Sequence, residues 1–155
     1  KWGNLNSPDV YIDNAVTQNS AIVQRQTYGM LAQQLIKEGK INEAKDMLNQ
    51  AEVNFPKENF PLDRYSIFFM QLYVDVQDTA KANQYFDEIL NFYEQELAYF
   101  SQFKGNKAKG VYGSIQDAAQ VVYILYNNAE RTLKDSERAT NAKRVLDTYI
   151  GNIGI

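Results

Sequence analysis

Apolar residues recur at three- and four-residue steps along most of this chain, which is the spacing of amphipathic α-helices. The first such stretch runs from about residue 14 to residue 38, and Gly39 follows it where a helix C-cap glycine is expected. Its apolar positions are Ala15, Ile22, Val23, Leu31, Ala32, Leu35 and Ile36. The pattern predicts a long first helix, and no segment alternates with period two for long enough to predict a strand.

A second helix is predicted directly after this glycine, beginning near Asn42 and ending at Pro56. The link between the two helices is so short that they must be antiparallel neighbours. Helices that approach within about 8–10 Å need small side chains where they cross. We expect three alanines to lie at this contact: Ala32, Ala44 and Ala51.

The next pair of helices repeats the first pair. Pro61 and Asp63 open a third helix that runs to about Val76, and Asp78 is the expected N-cap of a fourth. Setting Ala44 over Ala82 aligns the two pairs with an offset of 38 residues. This period is close to the helix-turn-helix period of tetratricopeptide arrays, with a few residues inserted.

The last third of the chain contains two predicted breaks. "FKGNKAKGVYG", residues 103–113, has three glycines and three lysines, and Ser114 with Asp117 resembles a capping box for a fifth helix. "LKDSER" separates that helix from a sixth. The predicted fold is all-α, a tetratricopeptide-like (TPR-like) α-α superhelix of about three antiparallel helical hairpins. Residues 1–13 are an extended lead-in to one domain of residues 14–155, with hairpins at about 14–56, 62–103 and 114–151.

The composition excludes several classes of function but does not identify one. The chain has 155 residues, a net charge of -3, and neither histidine nor cysteine. Its length is enough for a core without disulfides, and its charge gives no reason to expect a nucleic acid partner. Without histidine and cysteine there is no Ser-His triad, no thiol nucleophile and no usual zinc site. We therefore predict no catalytic residues, no cofactor and no metal.

Residues 28–56 resemble the tetratricopeptide repeat. The matching positions are Tyr28, Leu31, Ala32, Leu35, Gly39, Ile41, Ala44, Leu48, Ala51 and Pro56. The second copy keeps Tyr73, Ala82, Phe86 and Ile89. It has Gln77 where the turn glycine is expected and Glu94 where the final proline is expected.

A narrower resemblance covers most of the chain. "KWGNLNSPDVYID", "LAQQLIKEGKINEAKDMLNQAEVNFPKENFPLD" and "AKANQYFDEI" are similar to the C-terminal soluble part of the DUF2723-type membrane proteins of Bacteroidetes. That family is classed as glycosyltransferases related to protein O-mannosyltransferases. The resemblance implies that any catalytic carboxylates lie in a preceding membrane region, so that none fall on this chain. It also implies a soluble domain attached to the inner membrane on the periplasmic side, with its own membrane region as one partner.

Tetratricopeptide arrays bind partners on the concave wall formed by the first helix of each hairpin. The residues predicted to line that wall are Gln26, Gln33, Lys37, Arg64, Gln71 and Asp75. Amide and charged side chains suit an extended protein segment, a peptide or a glycan. The alternative is an ordinary solvated helix face.

The expected function is that of a non-catalytic interaction or scaffolding domain within a membrane glycosyltransferase-like protein. The alternative is an independent TPR-type adaptor that binds peptides or proteins. The acids of helix four, Asp87, Glu88, Glu94 and Glu96, also suggest a hydrolase. Adjacent acids on a helix point to different sides, so this third class is the least favoured. The seven aromatic residues between 85 and 103 are expected to be core, with a partner surface as the alternative.

Overall fold

The computed structural model describes residues 20–149 together with Asn6, Ser7, Asp9, Tyr11 and Asp13. These residues form six α-helices in sequential antiparallel pairs and contain no strand, which confirms the all-α prediction. The helices are α1 Ile22–Lys37, α2 Ile41–Asn54, α3 Ser66–Asp75, α4 Thr79–Phe100, α5 Asn106–Asn128 and α6 Ser136–Tyr149. A π-helical turn, Ala129–Leu133, extends the end of α5.

Contacts group the described residues into two compact units, whose boundary falls inside α4 between Tyr85 and Phe86. The first unit contains α1, α2, α3 and the start of α4. The second contains the rest of α4 together with α5, the π-helical turn and α6. The limits predicted for the domain and its hairpins stay predictions. Most of the lead-in, residues 14–19 at the predicted start of the first helix and the end of "YIGNIGI" lie outside the described residues.

The contact between α1 and α2 contains the small residues that the sequence pattern required. Ala32 and Ala44 have no exposed surface, and Ala51 is 1% exposed. Side chains of this size let the two helices approach closely, and Leu48, which is fully buried beside them, fills the remaining space. The three alanines are buried, as a close contact between α1 and α2 requires.

The same turn ends α1 and α3. After α1, the Lys40 N–H donates to the Leu35 carbonyl at 2.9 Å, and Gly39 has a φ of +75°. After α3, the Asp78 N–H donates to the Tyr73 carbonyl at 2.8 Å. There Gln77 adopts the left-handed conformation with a φ of +60°. A side chain in this conformation costs roughly 1–2 kcal/mol relative to glycine, so the second copy keeps the turn at an energetic cost.

Aspartate side chains cap three helices. The Asp78 carboxylate accepts the Lys81 N–H at 3.1 Å, which confirms its predicted role. Asp63 accepts the Ser66 N–H at 3.1 Å, so α3 begins a few residues later than the predicted start at Pro61. Asp135 caps the start of α6, where its carboxylate accepts the N–H groups of Glu137 and Arg138.

The predicted break at residues 103–113 is wrong over most of its length, because α5 already begins at Asn106. Ser114 therefore lies inside the helix and forms no capping box with Asp117. Gly110 and Gly113 occupy exposed positions of α5 with no neighbouring atoms near them. Each weakens the helix by about 0.5–1 kcal/mol. Burial of the apolar stripe outweighs this loss; the stripe consists of Ile115, Ala118, Val121, Val122 and Leu125.

The aromatic run of α4 is only partly core. Tyr85, Phe86 and Tyr93 are buried, as expected. Phe92 is 38% exposed and Tyr99 is 58% exposed, so the expectation is wrong for these two residues. Six of the seven aromatic residues lie in α4, where they cover more than one face of the helix, and only the faces turned towards neighbouring helices are buried.

Candidate functional site

The six predicted wall residues form two rows in the first unit. The rows match each other at an offset of 38 residues, the period of the repeat. Within each row the members are separated by seven and then four residues, which places them on one face of an α-helix. The α1 row is Gln26, Gln33 and Lys37, and the α3 row is Arg64, just before the helix, followed by Gln71 and Asp75.

A close contact between α1 and α3 passes through Gly29. A Cβ atom added to this glycine would lie 2.7 Å from Cε1 of Phe68 and 3.3 Å from Cζ of Phe69. Real Cβ atoms do not approach other carbons as closely as the first of these distances. The backbone of α1 therefore packs directly against two aromatic rings of α3, and only glycine fits without a rearrangement.

This contact lies in the middle of both polar rows. Gly29 is one helical turn from both Gln26 and Gln33, on the same face of α1. Phe68 is one turn from Gln71, on the same face of α3. The rows therefore lie side by side on neighbouring helices, with the half-buried ring of Phe68 between them. We call this surface the polar wall.

The polar wall is an open surface and not a pocket. Five of its six polar residues are exposed, and only Gln26 is half-buried. Gln26 borders a crevice of about 10 Å³ that it shares with Asp63 and Tyr65. That volume holds at most one water molecule. A ligand of the wall must therefore lie across the two helices.

A buried arginine fixes the helices behind the wall. The guanidinium of Arg25 lies 5.1 Å from the centre of the Phe69 ring, and Arg25 as a whole is only 9% exposed. A cation above an aromatic face is stabilised by the ring quadrupole. Arg25 also interacts with the hydroxyl of Tyr85 in α4. Burial raises the pKa of Tyr85 to about 12, and the charge of Arg25 opposes that rise.

Glu52 of α2 forms a second link of the first unit, and its side chain is 28% exposed. Its carboxylate accepts a hydrogen bond from the Tyr73 hydroxyl at 2.9 Å and pairs with the Lys81 ammonium at 2.7 Å. Burial raises the pKa of Tyr73 above its ordinary value, so the phenol stays protonated and keeps donating. Sequence reasoning missed both Arg25 and Glu52, because a charged residue in an amphipathic helix ordinarily indicates the solvated face.

Two of the acids that suggested hydrolysis are held by arginines in the second unit. Nε and Nη2 of Arg138 donate to the two oxygens of Asp87 at 3.0 and 2.6 Å. Nη1 and Nη2 of Arg144 donate to the two carboxylate oxygens of Glu94 at 3.0 and 3.2 Å. These pairs connect α4 with α6. The two hydrogen bonds of each pair fix the relative orientation of the side chains in addition to pairing their charges. The arrangement favours a structural role for both acids.

Within the described residues, no three histidine, cysteine, aspartate or glutamate side chains lie close enough together to bind a metal ion. None of the helices among them has both the length and the apolar character needed to span a lipid bilayer. The chemistry that the described residues offer at the wall is hydrogen bonding, charge pairing and apolar contact. Comparison of the chain with models of protein families, with curated proteins and with solved structures found no match.

Proposed function

We propose that the hairpins are TPR-like repeats. The support lies in which helices touch: α1 contacts α3, so the first helices of two hairpins are neighbours. The second helices are linked as well, α2 to α4 through Glu52 and Lys81, and α4 to α6 through the arginine–carboxylate pairs. First-to-first and second-to-second contacts are the pattern of hairpins stacked as repeats.

We further propose that this chain is a non-catalytic interaction domain whose polar wall binds an extended peptide. One observation carries the proposal: the contact of Gly29 with Phe68 places two matched polar rows side by side. The exposed side chain of Gln33 offers an amide donor and an amide acceptor, the pair that a peptide main chain requires, and Gln71 stands at the matching position of the other row. The ring of Phe68 between the rows offers an apolar contact for a side chain of that peptide.

The charges at one end of the wall suit a ligand with charges of its own. Lys37 and Asp75 occupy equivalent positions in the two rows and both are exposed. Neither forms an ion pair with another described residue. A peptide carrying an acidic and a basic side chain therefore finds a complement for each. Electrostatic matching of this kind sets orientation and specificity more than affinity.

The wall is tested by titrating the isotope-labelled domain with unstructured peptides, and separately with oligosaccharides, while recording amide NMR spectra. We expect peptide-induced shifts along the polar wall, on α1 and α3. The double substitution Gln33→Ala and Gln71→Ala removes two hydrogen bonds of about 0.5–1.5 kcal/mol each and weakens binding about tenfold. Gln50→Ala, at an exposed position of α2, is the matched control and leaves affinity unchanged.

The outcomes of this titration are distinct. Shifts on the polar wall with oligosaccharides alone would make the ligand a glycan rather than a peptide. Shifts confined to the exposed face of α2, or no shifts with either class of ligand, would reject the wall as a binding site.

We also propose, from the sequence resemblance alone, that the domain is the soluble part of a membrane glycosyltransferase-like protein and lies on the periplasmic side of the inner membrane. The alternative is an independent TPR-type adaptor. The coding sequence separates them: membrane-spanning segments encoded upstream and in frame with Lys1 support the first. A free-standing gene supports the adaptor. Protease accessibility of the domain in spheroplasts then tests the side of the membrane.

A further inference from the structure

An open cleft of about 580 Å³ lies in the second unit, between the end of α5 and the start of α6. One wall is formed by Tyr126 and Glu130, one turn apart on α5 and the π-helical turn. The opposite wall is a stripe of α6 that includes Thr140 and Lys143. Lys134, in the link between the two walls, has a left-handed backbone with a φ of +54°. Clefts of this volume are in the usual range for small ligands.

The acidic groups of the cleft already have donors. The Tyr126 hydroxyl donates to Glu130 at 2.6 Å. Asp135 accepts the backbone N–H groups of Glu137 and Arg138, and its second oxygen binds the Arg138 guanidinium at 2.7 Å. The charge of Asp135 is therefore paired with a guanidinium, and one oxygen of Glu130 is occupied by a phenol hydroxyl.

The two lysines of the cleft are in the opposite situation. Lys134 and Lys143 line the cleft, and both are exposed. Neither ammonium group forms a hydrogen bond or an ion pair with another described residue. Two ammonium groups without acceptors, on two sides of one concave space, attract an anion more strongly than either would alone on a flat surface.

We infer that this cleft binds a small oxyanion-bearing ligand, a carboxylate or a phosphate, between the ammonium groups of Lys134 and Lys143. The ring of Tyr126 and the methyl group of Ala139, which both line the cleft, contact the carbon skeleton of the ligand. The site shares no residue with the polar wall, because all of its residues belong to the second unit.

The test uses the whole chain and three probes at ionic strength matched with sodium chloride: glutarate, inorganic phosphate and the neutral analogue glutaramide. We expect amide shifts at residues 126–143 with an oxyanion and none with glutaramide. Shifts with glutarate alone identify a carboxylate ligand, and shifts with phosphate alone identify a phosphoryl ligand. No shift with either oxyanion, or equal shifts with glutaramide, would overturn the proposal.

Substitutions locate the binding groups. Lys143→Gln removes one charged donor and weakens oxyanion binding about tenfold. Lys134→Asn removes the other, and asparagine tolerates the left-handed backbone, so the link is kept. Lys109→Gln, at an exposed position of α5 outside the cleft, is the matched control. Equal affinity of the Lys143→Gln and Lys109→Gln variants would show that the shifts arise from general ionic attraction, and this too would overturn the site.

Discussion

Gly29→Ala is the substitution that most directly tests the contact between α1 and α3. In an open helix, alanine in place of glycine adds about 1 kcal/mol of stability. Here the new methyl group would lie 2.7 Å from the ring of Phe68 and 3.3 Å from that of Phe69. The half-buried Phe68 ring can rotate aside. Phe69 is 1% exposed and lies under the guanidinium of Arg25, so its ring cannot retreat.

Forcing extra atoms into a packed core costs about 1–3 kcal/mol. After the gain in helix propensity is subtracted, we expect Gly29→Ala to lower the free energy of unfolding by about 1 kcal/mol. Gly113→Ala is the matched control, because Gly113 also lies inside a helix but has nothing within 4 Å of its added Cβ. This control should raise the free energy of unfolding by about 0.5–1 kcal/mol.

The assay is urea denaturation followed by circular dichroism, with both variants compared with the parent chain. A second cycle repeats Gly29→Ala in a Phe68→Ala background, where the nearer ring is absent. There the loss should shrink or reverse, giving a coupling energy of about 0.5–3 kcal/mol between the two positions. If Gly29→Ala stabilises the protein as much as Gly113→Ala does, α1 and α3 do not approach closely, and the polar wall loses its basis.

Three further predictions concern turns and titration. Gln77→Gly should raise the free energy of unfolding by about 1 kcal/mol, because the left-handed turn then holds no side chain, and Gly39→Ala should lower it by a similar amount. If urea denaturation gives Gln77→Gly the same free energy of unfolding as the parent chain, this reasoning is wrong. The backbone N–H and the guanidinium of Arg138 hold the pKa of Asp135 below its ordinary value of 3.8. The stability that this carboxylate contributes is therefore present above about pH 4 and is lost as the pH falls through the lowered pKa. Acid unfolding of Asp135→Asn should therefore depend less steeply on pH, and an unchanged slope would argue against the pairing. Burial raises the pKa of Tyr85 to about 12, so its contribution is complete below pH 10 and is lost as the pH rises from about 10 to about 12. Near pH 10 Tyr85 should not contribute to the tyrosinate absorbance of the folded chain, and the Tyr85→Phe variant should unfold less readily in alkali. Titration of every tyrosine near pH 10 in the folded protein would refute its burial.

The positions and pairing of the first helices were predictable because their signals are local. A helix stripe, a turn glycine and a stopping proline act within a few residues, and a short link leaves antiparallel packing as the only arrangement. The alanines of the first hairpin follow from the same logic, since a close crossing requires small side chains. Local signals failed at the start of α5. There, glycines that indicate a break are tolerated, because an apolar stripe further along the helix is buried.

The candidate wall was predictable as a set of positions but not as a surface. The repeat period identified the two matched rows, because equivalent residues of repeats occupy equivalent places. The sequence could not show that Phe68 fills the space between the rows, nor that Arg25 is buried and Glu52 is bonded to Tyr73 and Lys81 of other helices. Both facts depend on which helix lies next to α1 and α2, and residues far apart in the chain decide that.

The sequence by itself thus determined the positions of most helices, apart from the start of α5, and which ones pair within a hairpin, since spacing and turn chemistry act over one or two turns. Only the tertiary structure decided what each glycine and each charge does. Gly29 and Gly113 are both glycines inside helices, yet one is required by two aromatic rings and the other faces open space. The difference arises because packing depends on the neighbouring element, and the periodicity of a helix does not specify which element packs against it.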